Sequence, residues 1–396
     1  MDRSSNPIRA ALGVSVGWVG ISMIGDGVPA LLLPHRLLTG GVTDATTLGV
    51  VTLVGIALAA AVQPFAGRWS DRVGRVPVIG IGAIVATAGL LALVATPAVA
   101  TGAIVALVGA SIAQAGYQPM LPDRLPRRWR GRAGGLKSAF DVGGAMLGFV
   151  LLGALVGAGE PVLAGVALAA VLVIGFAVSG FLTGRGSPAP SADKPAGETR
   201  VALLRVVAAR FLFLLGIYAV GRFLLLFVAD RFELSPDTAA ADAGMALALL
   251  ALVTVAASLP AGWLADRIGR RALMVGGGLV GGAGIGLLPA ADSMVALMAA
   301  GSLMAIGSAT FGSASWAMLA DLSPAPRAGG ALGIANLGTA GAAAAAGGFG
   351  AVIDLAGFAP AFALAAACSV AGAIVALTLA ERTTQPMLAA SAEGAS

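Results

Sequence analysis

Two short runs carry the same charges at the same spacing. GRWSDRVGR at 67–75 returns as GWLADRIGR at 262–270, which places Asp266 195 residues after Asp71. Both read G-x-x-x-D-R-x-G-R: Gly67, Asp71, Arg72, Gly74 and Arg75 in one copy, Gly262, Asp266, Arg267, Gly269 and Arg270 in the other, with Arg271 adding a further charge. Acids and arginines so arranged make and release charge contacts at helix ends, and a contact made in only one conformation biases an equilibrium. Arginines in tight turns would suit a membrane-topology signal alone, but that leaves the repeated acid without a reason. A looser duplication follows. The run DRLPRRWRGRAGG holds Asp123, Arg130 and Arg132, and its counterpart holds Asp321 and Arg327. Read by itself, it is a basic loop drawn to anionic lipid. Bond-breaking chemistry finds no comparable constellation. With one histidine, His35, and one cysteine, Cys368, there is neither a disulfide framework nor a Cys/His metal cluster, so neither an enzyme nor a cofactor is expected.

A second group of polar residues stands inside long apolar runs, where an ionised side chain costs roughly 2.5 to 3.5 kcal/mol. Asp26 follows Arg9 by 17 residues, about 26 Å along a helix, which puts it in the far half of the first apolar run. Arg222 comes 196 residues later, and each of the two follows a glycine. Opposite charges thus hold repeat-related places; taken singly they read as a kink residue and a snorkelling arginine. Asp141 lies nine residues past Arg132, with Lys137 one turn before it and Asn336 at the repeat position. Either acid can carry a proton between two cavity states, Asp141 being the first choice and Asp26 the second; a fixed Asp141–Lys137 pair is the plainer alternative. His35 is expected at a loop edge. Trp18, Ser22 and Asp26 share a helix face, and with Gln114, Tyr117, Gln118, Asp141, Tyr218, Arg222, Trp316 and Asn336 they form the candidate cavity lining, interhelical hydrogen bonding being the bland reading of each.

The elements that must position these groups are membrane helices. Of 396 residues 58% are hydrophobic and only 11% charged, against roughly a quarter charged in soluble domains. Apolar runs fall near 10–33, 45–66, 77–95, 98–120, 134–156 and 161–183, and again near 204–229, 240–261, 272–290, 293–318, 331–353 and 358–380. Runs of this length in hydrocarbon satisfy their backbone internally and are helices. The expectation is an all-α membrane protein of twelve transmembrane helices in two pseudo-symmetric six-helix halves. The halves are 1–183 and 204–380, separated by a Gly-, Pro- and Ser-rich linker at 184–203 and followed by a tail at 381–396. The polar start MDRSSNPIR ahead of a long apolar run does not read as a cleavable signal. The net charge of +5 does not mark a nucleic-acid binder, because the basic residues cluster in alternate connections. Only Arg36 and Arg231 fall on the other side, so both termini are expected in the cytoplasm.

The duplicated G-x-x-x-D-R-x-G-R loops, the twelve runs and the central linker resemble the major facilitator superfamily over almost the whole chain. The resemblance implies that fold, alternating access between its halves, cytoplasmic gating by Asp71, Asp266 and the neighbouring arginines, a second set of gate charges in the loops of Asp123 and Asp321, and a cleft across which Asp26 and Arg222 pair when the outer side closes. Asp71 would then meet the start of the eleventh helix. Two departures separate the chain from the drug-antiporter branch. AFDVGGAMLGFVLLG lacks the branch's proline, and Ser111 stands where its arginine would be. The function expected is secondary transport of a small organic solute, with proton-coupled efflux of apolar or drug-like compounds as the first reading. Proton-symport uptake is the second, and a non-transporting receptor on the same fold the third. Partners expected are the substrate, protons and lipid, but no nucleic acid, for a monomer in the inner or plasma membrane.

Overall fold

The computed structural model describes residues 7–120, 123, 127–183, 197–322 and 338–379. Among the described residues, twelve helices are long and apolar enough to cross a membrane. They are α1 (Ile8–Thr39), α2 (Ala45–Val73), α3 (Arg75–Ala95), α4 (Val99–Tyr117), α5 (Ala133–Gly157), α6 (Pro161–Thr183), α7 (Val201–Arg231), α8 (Pro236–Ala265), α9 (Arg270–Ala290), α10 (Met294–Leu319), α11 (Gly338–Ala356) and α12 (Phe358–Leu377). The helix of α7 already begins at Gly197, inside the segment expected as linker. Side chains start two of these helices: Asp44 accepts from the Thr47 N–H at 2.8 Å and Ser235 from the Thr238 N–H at 3.3 Å. The two signature loops are alike in backbone. Gly74 turns α2 into α3 at φ +97, and Gly269 turns α8 into α9 at φ +92. A Cβ at either place would be strained, which is why the motif needs glycine ahead of its last arginine.

The first helix departs from the expected run. It continues past Leu33 to Thr39 and is built of an α-helical piece (Pro7–Ser22), π-helical turns (Met23–Leu32) and a second α-helical piece (Leu33–Thr39). The GDGVP run accounts for the change: Pro29 has no N–H for the ladder, and Gly25 and Gly27 tolerate widened turns. His35 is thereby corrected from loop edge to helix, and it is only 1% exposed.

Small residues set the packing inside each half. A Cβ on Gly82, Gly89 or Gly109 would stand within 2.4 Å of backbone across the α3–α4 seam. Gly277, Gly284 and Gly307 play the same part between α9 and α10, with clearances of 2.7, 2.4 and 2.3 Å. These pairs recur at offsets of 195, 195 and 198, the same two offsets as the loop motifs. Close approach of this kind supplies the packing that water-driven burial cannot supply in lipid.

The two halves meet unevenly. Along the face opposite the chain termini, α5 lies against α8, α2 against α11, and the outer part of α1 against α7 and α8. One apolar core runs through both halves there, from Ile24, Leu33 and Val156 to Phe227, Leu288 and Phe362. Toward the termini face the core separates into a cluster around Val78 in the first half and another around Phe213 and Phe311 in the second. Among the described residues, a cleft therefore lies toward the termini face and is sealed on the far face.

Candidate functional site

The cleft holds a cavity of about 430 Å³ between the halves, a size that suits a drug-like molecule. Among its described lining residues only Asp26 and Arg222 are charged, while Gln63, Gln114, Gln118, Tyr218, Thr254 and Ser308 supply most of the polar groups. Gln63 donates to the Gln114 carbonyl at 3.1 Å, tying α2 to α4 on the wall. The remainder is apolar, including Ile21, Leu107, Phe149 and Met304.

The π-helical turns present Asp26 to this space. Its carboxyl lies deep in the molecule yet stays accessible through the cavity. Arg222 enters from α7 and is within electrostatic reach of Asp26, but no ion pair joins them among the described residues. Instead one Arg222 Nη donates to the Ala343 carbonyl at 3.2 Å, and its Nε and other Nη have no hydrogen-bond partner. The pair expected from sequence thus shares a cavity without touching in this conformation.

Asp141 is differently placed. It accepts from Lys137 at 2.6 Å and from the Ser22 hydroxyl, and Lys137 Nζ sits 3.4 Å from the centre of the Trp18 ring. Trp18, Ser22, Lys137 and Asp141 therefore fasten α1 to α5 beside the cavity and do not line it. Tyr117 is also absent from the lining. It is buried against Gly17, where a Cβ would come within 2.2 Å of its ring. Trp316 is likewise outside the cavity: it stacks on Arg210, 4.4 Å from the guanidinium, and Arg210 donates to Ser315 at 2.5 Å. Asn336 lies outside the described residues.

On the termini face, Arg75 gathers the first signature loop. Buried at the start of α3, it donates to Asp71, to Ser70 at 2.7 Å, and through Nε to Asp123 at 3.1 Å. One arginine thus links both expected gate loops of the first half. In the second half Arg270 donates to the Ala317 carbonyl at 3.0 Å, and Arg267 lies 3.6 Å over the Trp263 ring. The expected partner of Asp71 at the start of the eleventh helix lies outside the described residues, as does Arg327. The side chains of Arg130, Arg132, Asp266 and Asp321 are likewise not among those described.

The far-face seal was not foreseen from sequence. Asp354 at the end of α11 accepts from the Ala45 N–H at 2.8 Å and the Thr46 N–H at 2.7 Å, capping α2 of the other half. His35 of α1 bonds Asp237 of α8 at 2.7 Å. Beneath them Gly49 meets Gly347, with only 2.1 Å between a Cβ on Gly49 and the Gly347 oxygen. The two far-face arginines are a repeat pair as well: Arg36 donates to the Leu93 carbonyl at 3.3 Å and Arg231 to the Ala291 carbonyl at 2.9 Å.

The model of the Major Facilitator Superfamily matches residues 18–241 and 206–395, which is nearly the whole chain in two overlapping parts. The chain belongs to the major facilitator superfamily. It is a membrane transporter of that fold, and its solute is a small molecule. Two crystal structures of a bacterial homolog to the human lysosomal transporter Spinster, both inward-facing, resemble it across 94% of this chain and 95% of theirs. The unoccupied form gives a TM-score of 0.68 and the occupied form 0.70, each at 18% identity. At that identity the likeness establishes the major facilitator fold and nothing finer. No curated protein matches the sequence. Within this facilitator, sequence reasoning missed Gln63, Asp237 and Asp354. Gln63, directly before Pro64 in the middle of an apolar run, carried a signal, whereas Asp237 and Asp354 sit at run ends where acids are unremarkable.

Proposed function

We propose that this facilitator is a proton-coupled secondary transporter of a small, largely apolar organic solute, working by alternating access in the cell membrane with both termini in the cytoplasm. In that orientation the cleft opens to the cytoplasm. The observation that carries the reading is the cavity between the halves, apolar but for Asp26 and Arg222. Asp26 is the proton carrier in this proposal and displaces Asp141, whose charge is already matched by Lys137. A carboxylate that faces the cavity without an ion-pair partner is the group whose protonation differs between the two access states. The apolar lining favours export of drug-like compounds in exchange for protons. Uptake with protons is the second reading, and the unbonded nitrogens of Arg222 favour it.

The test begins with a ligand screen by thermal shift on the purified protein. Hits are then assayed in proteoliposomes under a pH gradient. Wild-type vesicles should concentrate the solute, and Asp26→Asn vesicles should exchange it at equal pH without concentrating it. Asp26→Asn vesicles that still concentrate it remove Asp26 from the mechanism. Reporter fusions after Arg200 and Arg382 should be active only as cytoplasmic reporters; outside signals at both sites would invert the proposed orientation, and an outside signal at one alone would contradict six spans between them.

A further inference from the structure

We propose that the cavity takes an amphiphilic organic anion, its acidic head on Arg222 and its apolar body along the lining, and that this anion binds together with a proton on Asp26. The inference rests on the transport reading and specifies its substrate class. Arg222 is 6% exposed and borders the cavity, and two of its three guanidinium nitrogens have no partner. A guanidinium in an apolar setting is expensive to leave bare, and its planar donors suit carboxylate and phosphate oxygens. No other described lining residue offers a positive charge. Gly25 and Gly221, directly before Asp26 and Arg222, line the same cavity and have nothing within 4 Å of a Cβ, so the cavity is open at both glycines.

The sign of the coupling follows from the charges around Asp26. The groups that act on it are Arg222 and Tyr218 from α7 and Asp141 from α5, and Asp141 is held by Lys137. With Asp26 ionised, it and Arg222 cancel, and an incoming anion meets a carboxylate. With Asp26 protonated, Arg222 stands alone and the anion neutralises it. Proton and anion thus favour each other's binding, and linkage makes the effect reciprocal. An organic cation would need the opposite arrangement, with Asp26 ionised and Arg222 left bare beside it. For such an anion the second transport reading, uptake with protons, displaces export in exchange for them.

The experiment uses the full chain in lipid nanodiscs, with empty nanodiscs as the partition control. Its probes are decanoate, decyl phosphate and decylamine. Decanoate or decyl phosphate should bind more tightly as pH falls from 8 to 6, by up to about tenfold per unit where Asp26 titrates. The tighter of the two identifies the head group. Arg222→Gln should weaken binding at least tenfold, Arg222→Lys should restore part of it, and Asp26→Asn should bind tightly with no pH dependence beyond the probe's own ionisation, which the empty nanodiscs and the free probe report. Should the Arg222 variants fail to fold, the wild-type pH profile and Gly221→Val, which fills the space beside the arginine, carry the test. Anion binding that is unchanged in Arg222→Gln, or that strengthens toward pH 8, overturns the inference, as does decylamine binding that Asp26→Asn abolishes. A neutral compound concentrated under a pH gradient, with neither anion bound, sinks the anion inference and leaves the transport reading standing. Cavity variants without effect on any flux sink the transport reading itself.

Discussion

Asp354 offers a direct test of how the far face is held shut. Its carboxylate accepts from two free N–H groups at the start of α2, at 2.8 and 2.7 Å, and these bonds exist only while α11 lies against α2. A hydrogen bond to a charged group contributes about 1.5 to 3 kcal/mol when buried, and a negative charge at a helix N-terminus about 0.3 to 1 kcal/mol when exposed. Asp354 is exposed, so water screens much of this, and about 1.5 kcal/mol is a fair total for the latch. That corresponds to roughly a tenfold change in the ratio of the two access states. Asp354→Ala should lower the ratio of termini-face-open to far-face-open molecules by about that factor, and Asp354→Asn, which keeps an acceptor but loses the charge, should lower it a few-fold. Asp354→Lys should go further, since it sets a cation against the positive end of α2. The α2 start itself should remain intact, because Asp44 caps Thr47 from within the same half. Spin labels at Glu160 and Asp292, both exposed on far-face loops of opposite halves, would report the spacing once Cys368 is replaced. Distance distributions that are the same in wild type, Asp354→Ala and Asp354→Lys would refute the latch.

Three further outcomes are expected. Gly49→Val places methyl groups where a Cβ alone is 2.1 Å from the Gly347 oxygen, so the far face should fail to close, with lengthened label distances and stalled transport at normal expression. Asp123→Ala leaves a buried Arg75 with only Asp71 and Ser70, and loss of one charged hydrogen bond costs about 1.5 kcal/mol, read as a lower thermal unfolding midpoint; an unchanged midpoint would mean that Arg75 does not depend on Asp123. Asp141→Asn removes the charge that Lys137 faces and should lower stability, yet accumulation under a pH gradient should survive it, unlike in Asp26→Asn; loss of accumulation in both would return Asp141 to the coupling mechanism.

Sequence alone determined that this is a twelve-helix membrane protein with a duplicated architecture. In hydrocarbon, run length and backbone satisfaction leave no other choice, and repeated loops betray repeated halves. The positive-φ glycines of the two signature loops were legible for the same reason, since a local backbone conformation restricts which residue can stand there. Tertiary structure decided what touches what. Trp18 and Ser22 were candidates for the cavity by helical periodicity and Asp141 by its place in the repeat, but neither signal gives the neighbour of a face, and theirs is the α1–α5 seam. Asp354 and Asp237 gave no signal at all, because a carboxylate at a helix end looks solvated until a second half 300 or 200 residues away supplies its donors. Asp26 was visible as a costly charge in an apolar run, but only the π-helical turns and the approach of α7 brought it to the same cavity as an arginine with unspent donors. Local sequence sets the free energy of placing one group in a membrane. Pairing depends on distances between helices, which the packing of all twelve fixes together.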